Sequence, residues 1–189
     1  IWEKAYGHRQ LYPDRKRTAT DTIFDLASLT KPIATATSIM ILVEQGKLNV
    51  QDYVTKYIPE FGQNGKDIIT VEQLLTHRAG FIPDNALADY QQGRQTAMQN
   101  IYLLHPIYEP GTQFKYSDVG YIVLGEIIFR ITGKHLNEFA SENIFQPLKM
   151  KDTGFLLPEQ RKDRTAASDM RNEEWITGEV HDPRSYLMG

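Results

Sequence analysis

Residues 24–46 read Phe24-Asp25-Leu26-Ala27-Ser28-Leu29-Thr30-Lys31-Pro32-Ile33-Ala34-Thr35-Ala36-Thr37-Ser38-Ile39-Met40-Ile41-Leu42-Val43-Glu44-Gln45-Gly46. The apolar positions Ile33, Ala36, Met40, Ile41 and Val43 follow a helical stripe. Pro32 stands in the first turn, where a missing N–H costs least, and Gly46 supplies the stop. The stretch therefore predicts a helix from Ser28 to Gln45, with Ser28 and Lys31 one turn apart on the same face. A serine hydroxyl attacks an acyl carbon only when a base removes its proton. The start of a helix adds free N–H groups and a positive dipole end, which suit an oxyanion and depress a nearby lysine. A lysine desolvated there becomes neutral enough to serve as that base. The plainer reading is that Ser28 only caps the helix, because Ser and Lys recur at this spacing by chance.

Outward from this helix the chain is helical in the middle and strand-like at its ends. Residues 1–24 alternate loosely around a polar turn at Pro13-Asp14 and predict a hairpin leading into Phe24. Thr70-Val71-Glu72-Gln73 is a capping-box pattern that opens a short helix ending at Gly80. Residues 86–104 predict a helix interrupted near Gly93, with Ala86, Ala88, Met98, Ile101 and Leu104 on its apolar side. Val119–Thr132, stopped by Gly133, and Leu136–Phe145, stopped by Pro147, predict two more. Residues 163–189 read as loop and short strand, with Val180 and Tyr186 as inward positions. The layout is α/β with a helical insertion at about 50–160, all within one domain over residues 1–189. Both ends read as cut: the chain opens inside an apparent strand at Ile1-Trp2 and closes on the apolar run Tyr186-Leu187-Met188-Gly189.

The composition is that of an ordinary globular protein, 41% hydrophobic and 24% charged, and 189 residues suffice for one sizeable core. A net charge of -3 without a basic run gives no reason to expect a nucleic-acid partner. The absence of cysteine excludes disulfides, thiolate metal sites and cysteine catalysis. Such a chain is at home in the cytoplasm, in the periplasm or outside the cell. Ile33–Val43, the longest apolar stretch, is far shorter than a membrane span of ~20 residues, and Ile1-Trp2-Glu3-Lys4 lacks a signal-peptide pattern. The histidines and carboxylates show no metal-ligand spacing, so neither metal nor cofactor is expected.

Two further groups could carry chemistry. Tyr116-Ser117-Asp118 lies between the Pro110-Gly111 turn and the apolar helix. A tyrosine near a lysine can shuttle a proton between serine and leaving group; equally, Tyr116 is a packed aromatic and Asp118 an N-cap. His181-Asp182 follows Val180. Neighbours on a strand face opposite ways, so no internal dyad is expected, and His181 reads as a substrate-side or loop-fixing group. His77 reads as a structural hydrogen-bonder.

Taken together, these segments resemble the serine β-lactamase and penicillin-binding-protein (DD-peptidase) superfamily, in its class C β-lactamase-like, esterase-like branch. Phe24–Lys31 resembles the Ser-x-x-Lys nucleophile motif, and Tyr116-Ser117-Asp118 occupies the place of Tyr-x-Asn. Matches in the same order are Gly46-Lys47-Leu48, Leu74-Leu75-Thr76-His77-Arg78-Ala79-Gly80, Glu109-Pro110-Gly111, Pro147-Leu148-Lys149-Met150, Asp152-Thr153-Gly154-Phe155 and Val180-His181-Asp182-Pro183. The resemblance implies a β-lactamase/DD-peptidase-like α/β fold: an antiparallel sheet flanked by helices, with a mostly helical lobe. It implies acyl transfer to Ser28, with Lys31 taking the hydroxyl proton, Tyr116 relaying it and the Ser28 N–H forming half of an oxyanion hole. The implied substrates are small esters, peptides or muropeptides, or β-lactams. The family's third box, Lys-Thr-Gly or His-x-Gly on a strand, is missing here and is expected beyond Gly189 with the C-terminal strands.

Asp118 departs from the family's usual Asn. A carboxylate only accepts hydrogen bonds, raises the pKa of a neighbouring lysine and disfavours an anionic substrate. This favours a carboxylesterase, or a D-amino-acid or peptidoglycan peptidase or amidase, over a dedicated β-lactamase. The alternatives are a β-lactamase and a non-catalytic, penicillin-binding-like protein in which Ser28 is idle.

Overall fold

The computed structural model describes residues 2–188. Ile1 of the expected opening strand and Gly189 of the closing apolar run lie outside the described residues. The expected hairpin forms where β1 (His8–Gln10) pairs antiparallel with β2 (Lys16–Arg17). The residues just before it, Trp2 to Tyr6, are not strand. A second antiparallel ribbon joins β3 (Met170–Arg171) to β4 (Glu174–Trp175). One parallel bridge, Ile23 with Thr165, ties the two ends of the chain together. Strands this short expose no broad face, so the core is built by helices.

The segment expected as one helix from Ser28 to Gln45 is not one regular helix. A 3-10 turn (Ala27–Leu29) runs into a π turn (Lys31–Ala36) and then into α1 (Thr37–Glu44). A wide turn rotates everything after it, so the buried face differs from the one expected. Ala34, Ile39 and Leu42 are buried, Met40 is exposed, and Ile33, Ile41 and Val43 are partly buried. Gly46 adopts the left-handed conformation of a helix stop, at φ 67°.

α1 packs in one core with α2 (Val71–Leu75), α3 (Arg94–Leu103), α4 (Asp118–Thr132) and α5 (Leu136–Ala140). α4 contributes Val119, Val123, Leu124 and Ile127, all fully buried, on the i, i+4 spacing of a helix held inside the protein. α2 begins with the expected capping box: the Gln73 N–H donates to Thr70 Oγ1 (3.3 Å), and Thr70 N–H donates to Gln73 Oε1 (3.0 Å). Gly93, at φ 86°, divides α3 from a 3-10 turn at Leu87–Tyr90. Ala86, just before that turn, and Ala88 within it are exposed, and Tyr90 is buried in their place. A satellite cluster of Ala34, Ala140, Ile144 and Phe145 packs the π turn against the end of α5.

The loop-and-strand reading of residues 163–189 fails at its end, where Pro183–Met188 form a helix, α6. Asp182 caps it, accepting the Ser185 N–H at Oδ1 (2.7 Å), and Pro183 begins the first turn, where it lacks nothing. Tyr186, expected inward, is exposed because the helical turn points it outward. None of the helices among the described residues is long and apolar enough to cross a membrane.

One core residue is a cation. Lys66 is fully buried, and its ammonium donates to the carbonyls of Gln63 (2.7 Å), Tyr102 (2.9 Å) and Leu104 (2.6 Å). It thereby caps the carbonyl end of α3 from the side. Burial pushes its pKa down to about 8, so at neutral pH it keeps three donors for three acceptors. Lys66→Met keeps the volume but leaves three inward carbonyls unpaired. Denaturant unfolding should show a loss of at least ~2 kcal/mol; unchanged stability would mean that water replaces the ammonium.

Candidate functional site

Ser28, Lys31, Tyr116 and Asp118, singled out from the sequence, converge. Lys31 Nζ lies 3.2 Å from Ser28 Oγ and donates to it. The same Nζ stands 2.5 Å from Asp118 Oδ1 and 5.1 Å from the centre of the Tyr116 ring. Ser28 and Tyr116 are exposed, whereas the Lys31 side chain is mostly covered. The Ser28 hydroxyl thus belongs to an exposed residue while the amine beside it is withdrawn from water.

Two segments remote in sequence make this meeting. The 3-10 turn at Ala27–Leu29 presents Ser28 in the first turn of the helical stretch, where N–H groups have no intrahelical acceptor. Its neighbour Ala27 is left-handed, at φ 47°, a conformation that costs a non-glycine residue ~1 kcal/mol or more. From the other side, the loop before α4 is fixed by its backbone. Ser117 Oγ donates to the Ile82 carbonyl (2.7 Å), Ser117 N–H donates to His77 Nδ1 (3.1 Å), and Asp118 N–H donates to the Pro83 carbonyl (2.9 Å). Asp118 is therefore the first residue of α4 and not its N-cap. Its carboxylate is favoured by the helix dipole and is free to turn to Lys31.

Burial alone would lower the Lys31 pKa, but the paired Asp118 carboxylate, with Tyr116 adding to it, outweighs burial and raises the amine above the ordinary lysine value. His77 behaves oppositely. Burial first, and then the Lys31 charge, hold its pKa down, so it is neutral at pH 7. Because its Nδ1 accepts the Ser117 N–H, its proton resides on Nε2. Its ring lies against Tyr116 (4.4 Å between centres) and Tyr121 (5.0 Å), and so supports the tyrosine from behind.

His181 makes no hydrogen bond or ion pair with Ser28, Lys31, Tyr116 or Asp118. The Asp182 side chain caps α6, and the pair lies in the loop before that helix and not on the strand expected there. The His181 Nδ1 meets Asp25 Oδ2 at 2.7 Å, and its backbone N–H donates to the same oxygen at 3.1 Å. Asp25 was missed in the sequence. So were Asp84 and Arg184, which stand 3.9 Å apart beside the site, with Arg184 also donating to the Asn85 carbonyl (2.8 Å) and so fixing α6. Burial raises the Asp84 carboxyl, Arg184 opposes the rise, and the nearby carboxylates of Asp118 and Asp182 add to it. The one available signal was Asp182-Pro183, a cap followed by a first-turn proline, which announces the helix carrying Arg184. Among the described residues, no three His, Asp or Glu side chains gather as metal ligands. A cleft between Phe24, Leu26, Ile33, Phe145, Phe155 and Val180 opens behind the nucleophile turn and is not lined by Ser28, Lys31 or Tyr116.

Comparison with known proteins places this geometry. The family model described as Beta-lactamase matches residues 1–188, and the chain belongs to that family. It is 34% identical over 172 residues to an N-acetylmuramyl-L-alanine amidase of Bacillus subtilis (strain 168), covering 81% of this chain and 39% of the relative. A family VIII carboxylesterase superposes with a TM-score of 0.71 at 30% identity, over 80% of this chain and 42% of that one. A class C β-lactamase, at 23% identity, shares the fold with a TM-score of 0.77 over 90% of this chain and 46% of that one. The chain thus spans about half the length of these proteins or less. The fold is the β-lactamase-like α/β fold expected, with its strands here confined to short antiparallel ribbons.

The Lys31–Asp118 pair makes a signed prediction. If Lys31 must be neutral to accept the serine proton, acylation climbs with pH about tenfold per unit below its pKa. Asp118→Asn removes the group that favours the ammonium, lowers that pKa and shifts the rising limb to lower pH. Rates of serine acylation in the full-length protein between pH 5 and 10 check this. A limb that stays in place, or moves up, would mean that Asp118 does not govern Lys31.

Proposed function

We propose that the whole protein is a serine hydrolase that forms an acyl-enzyme on Ser28 and hydrolyses it with water. The observation that carries this reading is the amine of Lys31, 3.2 Å from Ser28 Oγ and largely covered from solvent. In the proposed step Lys31, once neutral, takes the hydroxyl proton as Oγ attacks the acyl carbon. The Ser28 N–H supports the developing oxyanion. Tyr116, beside Lys31 and open to the substrate side, passes the proton to the leaving group, and the acyl-enzyme is then cleared by water.

The substrate class we favour is an ester or an amide with no carboxylate close to the scissile bond: a short-chain ester, or a peptide or muropeptide. Asp118 neutralises much of the Lys31 charge at 2.5 Å, which leaves less cationic attraction for an anionic substrate. Kinship with an amidase and a carboxylesterase supports the same choice over a dedicated β-lactamase.

The test is the intact mass of the full-length protein after exposure to p-nitrophenyl acetate, to a muropeptide with no free carboxylate beside its scissile amide and to benzylpenicillin. An acyl adduct from the ester or the peptide that is absent in Ser28→Ala, with slower turnover of the penicillin, is the expected result. An adduct that survives Ser28→Ala would remove Ser28 as nucleophile. No adduct and no turnover with any of the three would favour a binding protein with an idle serine.

A further inference from the structure

Outside the Lys31 cluster, one carboxylate is fully engaged in a task that the acyl-transfer chemistry does not use. Asp25 stands three residues before Ser28 and is a hydrogen-bond acceptor for three donors. Its Oδ1 accepts the Ala27 N–H at 2.8 Å, and its Oδ2 accepts both the backbone N–H of His181 (3.1 Å) and the His181 ring Nδ1 (2.7 Å). Because a carboxylate only accepts, His181 must carry a proton on Nδ1, as a neutral ring or as an imidazolium. These bonds, led by the one from the His181 ring, outweigh burial and hold the Asp25 carboxyl below the usual carboxylate range.

The residue held by Oδ1 is the one in an unfavourable conformation. Ala27 sits at φ 47°, where an L-residue with a Cβ is strained, and the next residue is the nucleophile. Strain of this kind persists only where surrounding contacts over-determine it. Here the contact is a two-residue loop closed by Asp25 on the Ala27 N–H. The carboxylate is in turn fixed by His181, 156 residues away in sequence and just ahead of α6. α6 itself is anchored by Arg184 on the Asn85 carbonyl, so the clamp rests on the helical core as well as on the turn.

We infer that Asp25, clamped by His181, is a positioning residue for Ser28: it fixes the left-handed turn at Ala27 that aims Oγ at the substrate and at Lys31. This inference rests on the reading of Ser28 as nucleophile. It also assigns a role to the His181-Asp182 motif, in which His181 locks the nucleophile turn and Asp182 caps the helix that carries the lock. Neither group touches the reacting atoms. Their effect therefore falls on the rate of bond formation and not on how tightly a ligand is held, because a small misplacement of the attacking atom costs rate steeply.

The experiment uses the full-length protein and an alkyl fluorophosphonate. The probe phosphonylates the serine oxygen as fluoride leaves and the hydroxyl proton passes to the base. The maximal labelling rate constant and the half-saturating probe concentration are measured together with the urea unfolding midpoint. Variants are Asp25→Ala, Asp25→Asn, His181→Ala and His181→Asn, the last of which keeps a donor near the Nδ1 position. Asp25→Ala, under conditions where it is fully folded, should lose roughly 10- to 100-fold in maximal rate with half-saturation essentially unchanged. His181→Ala should lose less, and His181→Asn should recover most of that loss. Equal maximal rates in wild type and in folded Asp25→Ala would overturn the positioning role and leave Ser28 as the nucleophile. A loss confined to half-saturation, or a lower midpoint with a normal rate per folded molecule, would also overturn it. Absence of labelling in the wild type would overturn both readings.

Discussion

Everything proposed for this protein depends on where one ammonium group stands. Lys31 belongs to the turn that opens the nucleophile helix, and its charge is compensated from another element, by Asp118 at the start of α4. The same Nζ reaches Ser28 Oγ, so a single group joins the proposed nucleophile to the carboxylate that tunes the proposed base. A covered cation needs a partner, because the cost of desolvating it unpaired is several kcal/mol. The pairing in turn demands that α1 and α4 lie side by side, and the shared burial of Ile39, Leu42, Val123 and Ile127 holds them there.

The scaffold supports this meeting by irregularity as much as by regular structure. A continuous α-helix from Ser28 onward would have placed Lys31 by the ordinary 3.6-residue period. The succession of 3-10 and π turns instead changes the pitch twice within ten residues, before α1 settles into the core. Opposite it, the loop before α4 has no freedom to drift, because Ser117 and Asp118 give their backbone and hydroxyl donors to His77, Ile82 and Pro83. The buried Glu126, paired with Arg94 (3.1 Å) and Arg130 (2.8 Å), and the buried Lys66 place further ionic or cationic restraints on α3 and α4. Such groups contribute little net stability over an apolar core, but removing one partner is costly.

Much of this was legible in the residues. The capping box at Thr70, the stop at Gly46, the division at Gly93 and the two apolar helices after Asp118 rest on local chemistry that the chain expresses within a few positions. Ser28, Lys31 and Tyr116 could be named as candidates because ordered motifs accompany them, and the rise that Asp118 gives the Lys31 pKa followed from its charge. What stayed hidden was relational. Met40 was assigned to the core by a 3.6-residue count that a π turn displaces. Asp25 has no local mark of its role, since its partner His181 is supplied by the far end of the chain. Lys66 reads as a surface lysine until three carbonyls surround it. The helix at Pro183–Met188 did carry a signal in Asp182-Pro183, which the expectation of a strand concealed.

The most direct measurement is an NMR titration of the Lys31 side chain in the full-length protein, with lysine labelled at the ε carbon and the resonance assigned by Lys31→Arg. If Asp118, with Tyr116, holds the ammonium as described, the midpoint lies above 10.5, the value of an ordinary lysine. A midpoint below that value would contradict the account, because it would show that burial, and not the carboxylate, sets the proton affinity of the base.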